Sequence, residues 1–329
     1  MIFSWMNRVF CPLMLVLVTG LMASSPSAQV DTTNTWFSNG PTGQVVVQDV
    51  VIDPIYTDTL YAGTMPGTVY RSLNRGGSWL EIGASIGGTV SALAINPLNS
   101  AVVYAGTQHA GVYKTVDRGA TWAKVNTGLV DMLINVIAID PVDTNRVLAG
   151  SSDSVFVTVN GGTSWSSTGL DSVNVSDIAL NPLAPDTAYV ATNGKGIYRT
   201  FDGGSSWTQV NSGLGSLRVS ELAVHPTHPE IQFAVTFDGG LYKTENHGNN
   251  WAISNNGLPT LNLSSVAIAP GNPSVVFVAA SSPVEIYKSS DGGATWSDIS
   301  LNIPMAVGPS ALVVHPDISN NVNAAVTDV

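Results

Sequence analysis

The sequence predicts an all-β protein, a β-propeller of about seven blades, each a four-stranded antiparallel sheet. Three observations predict it. Trp36, Trp79, Trp122, Trp165, Trp207, Trp251 and Trp296 are spaced by 43, 43, 43, 42, 44 and 45 residues. Before the last six of these, one pattern recurs: Ser or Thr, any residue, Asp or Asn, any residue, Gly, any residue, Ser, Thr or Asn, then Trp. Within each interval lie four short strand-like runs punctuated by Gly, Pro, Asn and Asp. Four strands in about 43 residues is the size of a propeller blade, which cannot bury both faces alone and must stack on neighbours.

The six boxes span 72–79, 115–122, 158–165, 200–207, 244–251 and 289–296. Their third positions are Asn74, Asp117, Asn160, Asp202, Asn246 and Asp291, and each ends on its grid tryptophan. An Asp or Asn side chain there accepts backbone N–H groups and ties a turn, and Gly supplies a positive φ. The boxes are therefore read as structural turns between third and fourth strands. In one unit the runs are 90–95, 102–106, 111–115 and 121–125. Pro97 stops the first run because proline cannot donate to a ladder, and Pro54, Pro141, Pro182, Pro226, Pro270 and Pro316 stop its equivalents. Tyr70, Tyr113, Tyr198, Tyr242 and Tyr287 share one strand position, which Phe156 fills in the remaining unit, and aromatics suit a half-buried pleated surface.

The two ends differ from this pattern. Residues 1–28 combine Arg8, an apolar run over 12–22 and small residues after it, the layout of a secretory signal peptide, so the propeller is expected over 29–329 and outside the cytoplasm. The apolar run is shorter than the ~20 residues of a membrane helix. After Trp296 only 311–314 and 322–327 read as strands. The last blade is thus expected to be incomplete, or closed by the N-terminal strand 34–38 as its outer member, which would remove an open edge. The abrupt end at Asp328 and Val329 favours a chain cut from a longer protein.

Composition excludes several functions. Lysine and arginine total 12 against 23 acids, a net charge of -11, and losing Arg8 leaves 11 against 23, or -12. No cationic surface for nucleic acid or anionic lipid is expected. The only cysteine, Cys11, falls in the leader, so disulfides, thiolate chemistry and cysteine metal sites are not expected. His225 and His315 precede strand-ending prolines, where other units carry Asp53, Asn96, Asp140 and Asn181, a turn role. No cofactor or metal set is read.

At its boxes the chain resembles the Asp-box, or bacterial neuraminidase repeat, propellers. These include sialidases, xyloglucan-cleaving glycoside hydrolases, the ligand-binding domain of sortilin-type receptors and a photosystem II assembly factor. The units look closest to the xyloglucanase, sortilin and photosystem-factor branch, and the resemblance covers nearly all of 29–329. It implies the fold and leaves activity open. Sialidases of this superfamily bind substrate with three arginines. Here Arg71, Arg75, Arg118 and Arg199 lie beside or within the boxes, which family propellers turn away from the ligand, leaving Arg146 and Arg218. In the xyloglucanase branch an early Asp-x-Gly-Gly-type loop carries an aspartate, whereas the equivalent segment 64–68 has no carboxylate.

The ligand face of a propeller is built by connections between blades and by the turns between second and third strands. Those loops hold His109, Asp153, Lys195, Asp238 and Glu285, while Asp49, Asp177 and Glu221 share one register near the start of the innermost strand, at the channel mouth. The reading is a secreted, monomeric binding or scaffold module for a glycan or protein ligand, with no catalytic set. A glycoside hydrolase using acidic residues of this face is the alternative, and needs two carboxylates about 5–10 Å apart.

Overall fold

The computed structural model of the protein describes residues 41, 46–65, 67–83, 86–300, 307–317 and 322–327. Among them there is no helix. The strands form six four-stranded antiparallel sheets and one two-stranded sheet. The first blade runs Val46–Ile52, Leu60–Met65, Val69–Ser72 and Leu80–Ile82, in that spatial order. The other five open on Val90–Ile95, Ile134–Ile139, Val175–Leu180, Val219–Val224 and Leu263–Ile268, and these first strands pack against one another around the axis. Six complete blades replace the expected seven. The remaining wedge is filled by Val307–Val314 paired with Val322–Thr327. The closing strand expected at 34–38 lies outside the described residues, as do Trp36 and the leader 1–28.

The two-residue period of a strand explains where the core lies. Successive side chains point to opposite faces, so each sheet offers one apolar face to each neighbour. In the second blade Leu93, Ile95, Val103 and Ala105 pack with Val51 and Tyr61 of the first. The alternate residues Ala92, Ala94, Tyr104 and Val112 pack with Ile137, Val147 and Ala149 of the third. The core is therefore divided into seven clusters, one at each junction. Leu312 and Val314 join Phe277 and Ala279 of the sixth blade. Val313, on the other face of that strand, joins Val47 and Val50 of the first, and the ring closes there. Close approach between blades needs a small residue in the second strand. A Cβ on Gly106 would lie 2.7 Å from Ile134 Cγ2 in the next inner strand.

Each box folds back on its own oxygen atoms. In the fourth blade the Thr200 hydroxyl donates to Asp202 Oδ1 (2.7 Å) and accepts from the Gly204 N–H (3.0 Å). Asp202 accepts the Ser206 N–H at Oδ1 (2.8 Å) and the Ser206 hydroxyl at Oδ2 (2.6 Å). Gly203 and Gly204 take φ of 74° and 93°, which allows the backbone to turn around the carboxylate. Hydrogen bonds to the charged form, the Ser206 and Thr200 hydroxyls first, hold Asp202 down at about 2. Asp117 and Asp291 lie at about 2 for the same reason, led by Thr115 and Thr295 respectively. The tryptophan then reaches into the preceding junction. Trp251 is 2% exposed, and its indole Nε1 donates to the Val210 carbonyl of the previous blade (2.9 Å). Trp165 and Trp296 repeat this with Val125 and Ser254.

Candidate functional site

The ring has two unlike faces. On one, the turn between first and second strands is bonded to the box of the same blade, as Gly203 N–H to Asp186 O (2.9 Å) and Gly161 N–H to Asn145 O (2.8 Å). On the other, the turn between second and third strands is bonded to the connection entering that blade, as Gln108 N–H to Thr89 O and Phe237 N–H to Arg218 O (both 2.9 Å). The first is called the box face below and the second the loop face.

Asp49, Asp177 and Glu221 occupy one register, just after a bulge in the innermost strand. The innermost strand is a sheet edge, so every other N–H along it lacks a ladder partner, and these side chains supply one to the next blade. Asp49 Oδ2 accepts the Leu93 N–H (2.7 Å), Asp177 Oδ2 the Leu222 N–H (2.9 Å) and Glu221 Oε2 the Val266 N–H (2.7 Å). Ser265 Oγ does the same for Leu312 (3.0 Å). All four residues are buried, Asp177, Glu221 and Ser265 completely. Burial, then the neighbouring charge of Asp177, pushes the Glu221 carboxyl well above the usual carboxylate range, and Asp49 adds to this. The three acids are thus near one another but turned into the junctions between blades.

The other candidates are spread around the loop face. His109 lies in the turn of the second blade at φ 81°, its N–H bonded to Met132 O (3.1 Å). Asp153 is exposed in the third blade, where its carbonyl accepts the Val173 N–H (2.9 Å). Lys195 is exposed in the fourth, with Nζ on the Ser172 carbonyl (2.6 Å). Asp238 is exposed in the fifth. Glu285 accepts the Tyr287 hydroxyl, an arrangement that, after burial, raises the tyrosine pKa. No two of these five converge in a hydrogen-bonded set.

Two further loop-face groups were not among the sequence candidates. Asp131 accepts the Leu133 N–H and the Ser152 hydroxyl. Burial opposes its ionisation, but these bonds outweigh it and lower its pKa. Arg218 stacks over the Phe237 ring at 4.1 Å and directs Nε to Asn193 Oδ1 (3.3 Å). Leu217 and Phe237 expose 43% and 51% of their surface beside it. The result is an outward-facing patch with an aromatic face, a guanidinium and an aliphatic side chain at the junction of the fourth and fifth blades. Among the described residues no three His, Cys, Asp or Glu side chains are grouped to hold a metal ion.

A ring of antiparallel four-stranded sheets stapled by six such boxes defines a β-propeller of the Asp-box, or BNR-type, superfamily, and this chain is one. Within that class, the family model of the photosynthesis system II assembly factor YCF48 matches residues 116–258. No curated protein sequence matches the chain. Among solved structures, an ancestral GH74 enzyme is 24% identical with a TM-score of 0.66, over 79% of this chain and 39% of that one. The chain thus spans well under half the length of that enzyme. A GH74 enzyme of Niastella koreensis is 14% identical (TM-score 0.58, over 94% of this chain and 70% of that one). YCF48 bound to D1 peptide is 12% identical, with a TM-score of 0.67 over 88% of this chain and 94% of that one. At these identities the likeness is one of fold.

Proposed function

We propose that the protein is a non-catalytic binding module that captures an extended segment of another protein on its loop face. The observation that carries this reading is the Arg218–Phe237 stack with Leu217 beside it. Aromatic and arginine side chains presented together on a rigid frame are what anchor protein ligands. A similarly folded chain, YCF48, is known with a D1 peptide bound, which supports peptide capture as something this scaffold can do. The buried acids Asp49, Asp177 and Glu221 serve the ring itself on this reading. The test is a peptide array probed with the folded protein, followed by fluorescence polarisation on captured peptides. Arg218→Ala and Phe237→Ala are each expected to weaken binding at least tenfold with the fold intact. Binding indifferent to both variants would remove the patch from the function.

A glycoside hydrolase is the second reading, favoured by the likeness to two GH74 enzymes. Release of reducing sugar from xyloglucan oligosaccharides, lost on substituting an exposed loop-face acid such as Asp153 or Asp238, would establish it in place of the first. We also propose export across a membrane. Sequencing the mature N-terminus after expression in a secreting host tests this, with cleavage near residue 28 expected.

A further inference from the structure

The box face carries a pattern that neither the ring nor the loop face explains. Two registers there point to solvent in every blade. The residue after each strand-ending proline is Ile55, Leu98, Val142 and Leu183 in the first four blades, but Thr227 and Gly271 in the next two. The residue after each box hydroxyl is Leu73, Val116, Val159 and Phe201, then Glu245 and Ser290. Both registers change from apolar to polar at the same blade. The eight apolar side chains expose 44–69% of their surface. The turns that carry them are physically joined: each box is bonded to its own first turn, and the Ser100 hydroxyl and Arg146 guanidinium reach the neighbouring turns at Asp53 and Pro185. The Tyr104 hydroxyl likewise reaches the Gly161 carbonyl of the third blade, so a crescent of aliphatic and aromatic tips on linked turns covers four adjacent blades and stops.

We propose that this crescent is the interface with a second copy of the chain, in an isologous two-fold dimer. Taking whole side chains at roughly 150–250 Å², the eight expose on the order of 900 Å², above the few hundred Å² of an ordinary monomer patch and near the ~800 Å² per partner of a stable complex. Charge selects the occupant. The chain is acidic overall, at -11, so most of its surface repels another copy. The crescent is where arginines gather and are largely balanced: Arg75 pairs with Asp58, and Arg146 with Asp140 and Asp186, while Arg118 and Arg199 stand in and beside the boxes of the ionised Asp117 and Asp202. Arg118 lies over the Tyr56 ring and Arg199 over Phe201, adding flat stacked surfaces to the rim. A nearly neutral apolar face on an acidic molecule meets its own copy with least repulsion, and offers no net positive field to an anionic bilayer. The dimer replaces the monomer that sequence alone suggests, and leaves both loop faces outward.

Sedimentation velocity between 1 and 100 μM, concentrations set by the ~μM affinities of such interfaces, tests the assignment. The wild-type protein is expected to sediment as a dimer. The Val116→Asp and Phe201→Asp double variant alters two solvent-facing turn positions outside the box hydrogen bonds, and is expected to be a monomer with an unchanged melting curve. A control, Leu217→Asp with Phe237→Asp on the loop face, is expected to remain dimeric. A wild-type monomer throughout the range, a dimer that survives the box-face substitutions, or one dissolved by the control would each overturn the proposal. So would co-sedimentation of wild-type monomer with neutral phosphatidylcholine vesicles, which would give the crescent to a membrane.

Discussion

Truncating Trp251 tests the claim that the core lies between blades rather than within them. The ring is 2% exposed at the junction of the fourth and fifth blades, and its N–H holds the Val210 carbonyl at 2.9 Å. Burying an indole removes roughly 200 Å² from water, worth about 5 kcal/mol at ~25 cal/mol per Å², and large aromatic deletions in cores cost ~3–5 kcal/mol. Trp251→Ala also strands the Val210 carbonyl, at ~1 kcal/mol, so the upper part of that range is expected. With an unfolding entropy of ~2.1 cal/mol/K per residue, a chain of this size should melt ~6–8 °C lower. Trp207 is the internal control. It is only half-buried and its N–H reaches a side-chain hydroxyl, Thr168 Oγ1, at 3.2 Å. Trp207→Ala is expected near 3 kcal/mol and ~4–5 °C by the same scale. Scanning calorimetry of both variants decides the matter. A Trp251→Ala protein that melts with the wild type, or above Trp207→Ala, would refute the inter-blade account.

Three further predictions concern protons. Glu221 has a pKa raised by burial and Asp177, so the folded state holds its proton more tightly than the unfolded state. Its contribution to stability is complete below the ordinary value of 4.5 and is lost as pH rises through the folded pKa. Glu221→Gln keeps an acceptor for Val266 N–H, and its melting temperature relative to wild type should rise from pH 5 to pH 8; a difference that does not change would contradict the raised pKa. His225 works in the opposite sense. Its Nδ1 accepts the N–H groups of Thr227 (3.3 Å) and His228 (3.0 Å), and burial lowers its pKa. Its stabilisation is full above 6.5 and fades as pH falls below that value. His225→Asn, the residue found in this register at Asn96 and Asn181, should lose less stability between pH 7.5 and 5.5 than the wild type in parallel melts. For the boxes, carboxyl-resonance titration should place Asp202 and Asp117 at about 2, and their contribution is present above 3.8 and lost toward about 2. Midpoints near 3.8 would mean that the turn hydrogen bonds do not persist in solution.

The fold was legible because its determinants are local and repeated. One box contains its own turn donors and acceptors, so the pattern around Asp202 can be read from eight consecutive residues. The proline-stopped runs likewise reveal the pleat, and the tryptophan interval gives the blade. The blade count was less legible, since the last wedge is held by Leu312, Val313 and Val314, which pack on both neighbours without any box of their own. The candidate site was legible only as a register. Spacing alone aligned Asp49, Asp177 and Glu221, but not the direction of their side chains, which depends on an unpaired edge-strand N–H 44 or 45 residues later. The Arg218–Phe237 stack is similarly invisible to a periodic reading, because it occurs once, and its tie to Asn193 reaches into the preceding blade.

The links from Asp49, Asp177, Glu221 and Ser265 all run forward, each from one sheet to its successor, and the second and third sheets have Ala92 and Val136 where the donor-seeking group would be. Cohesion around the annulus is therefore polar, like overlapping tiles, and uneven. Injury to Glu221 should loosen the sheet beginning at Leu263 before its own, so amide exchange ought to accelerate downstream of the lesion. After Ala92 and Val136 the tie is made one residue earlier and with the opposite polarity, the Ser91 hydroxyl donating to the Ile134 carbonyl and the Asn135 amide to the Val175 carbonyl (2.8 Å), so there the annulus is held by neutral donors instead of buried carboxylates.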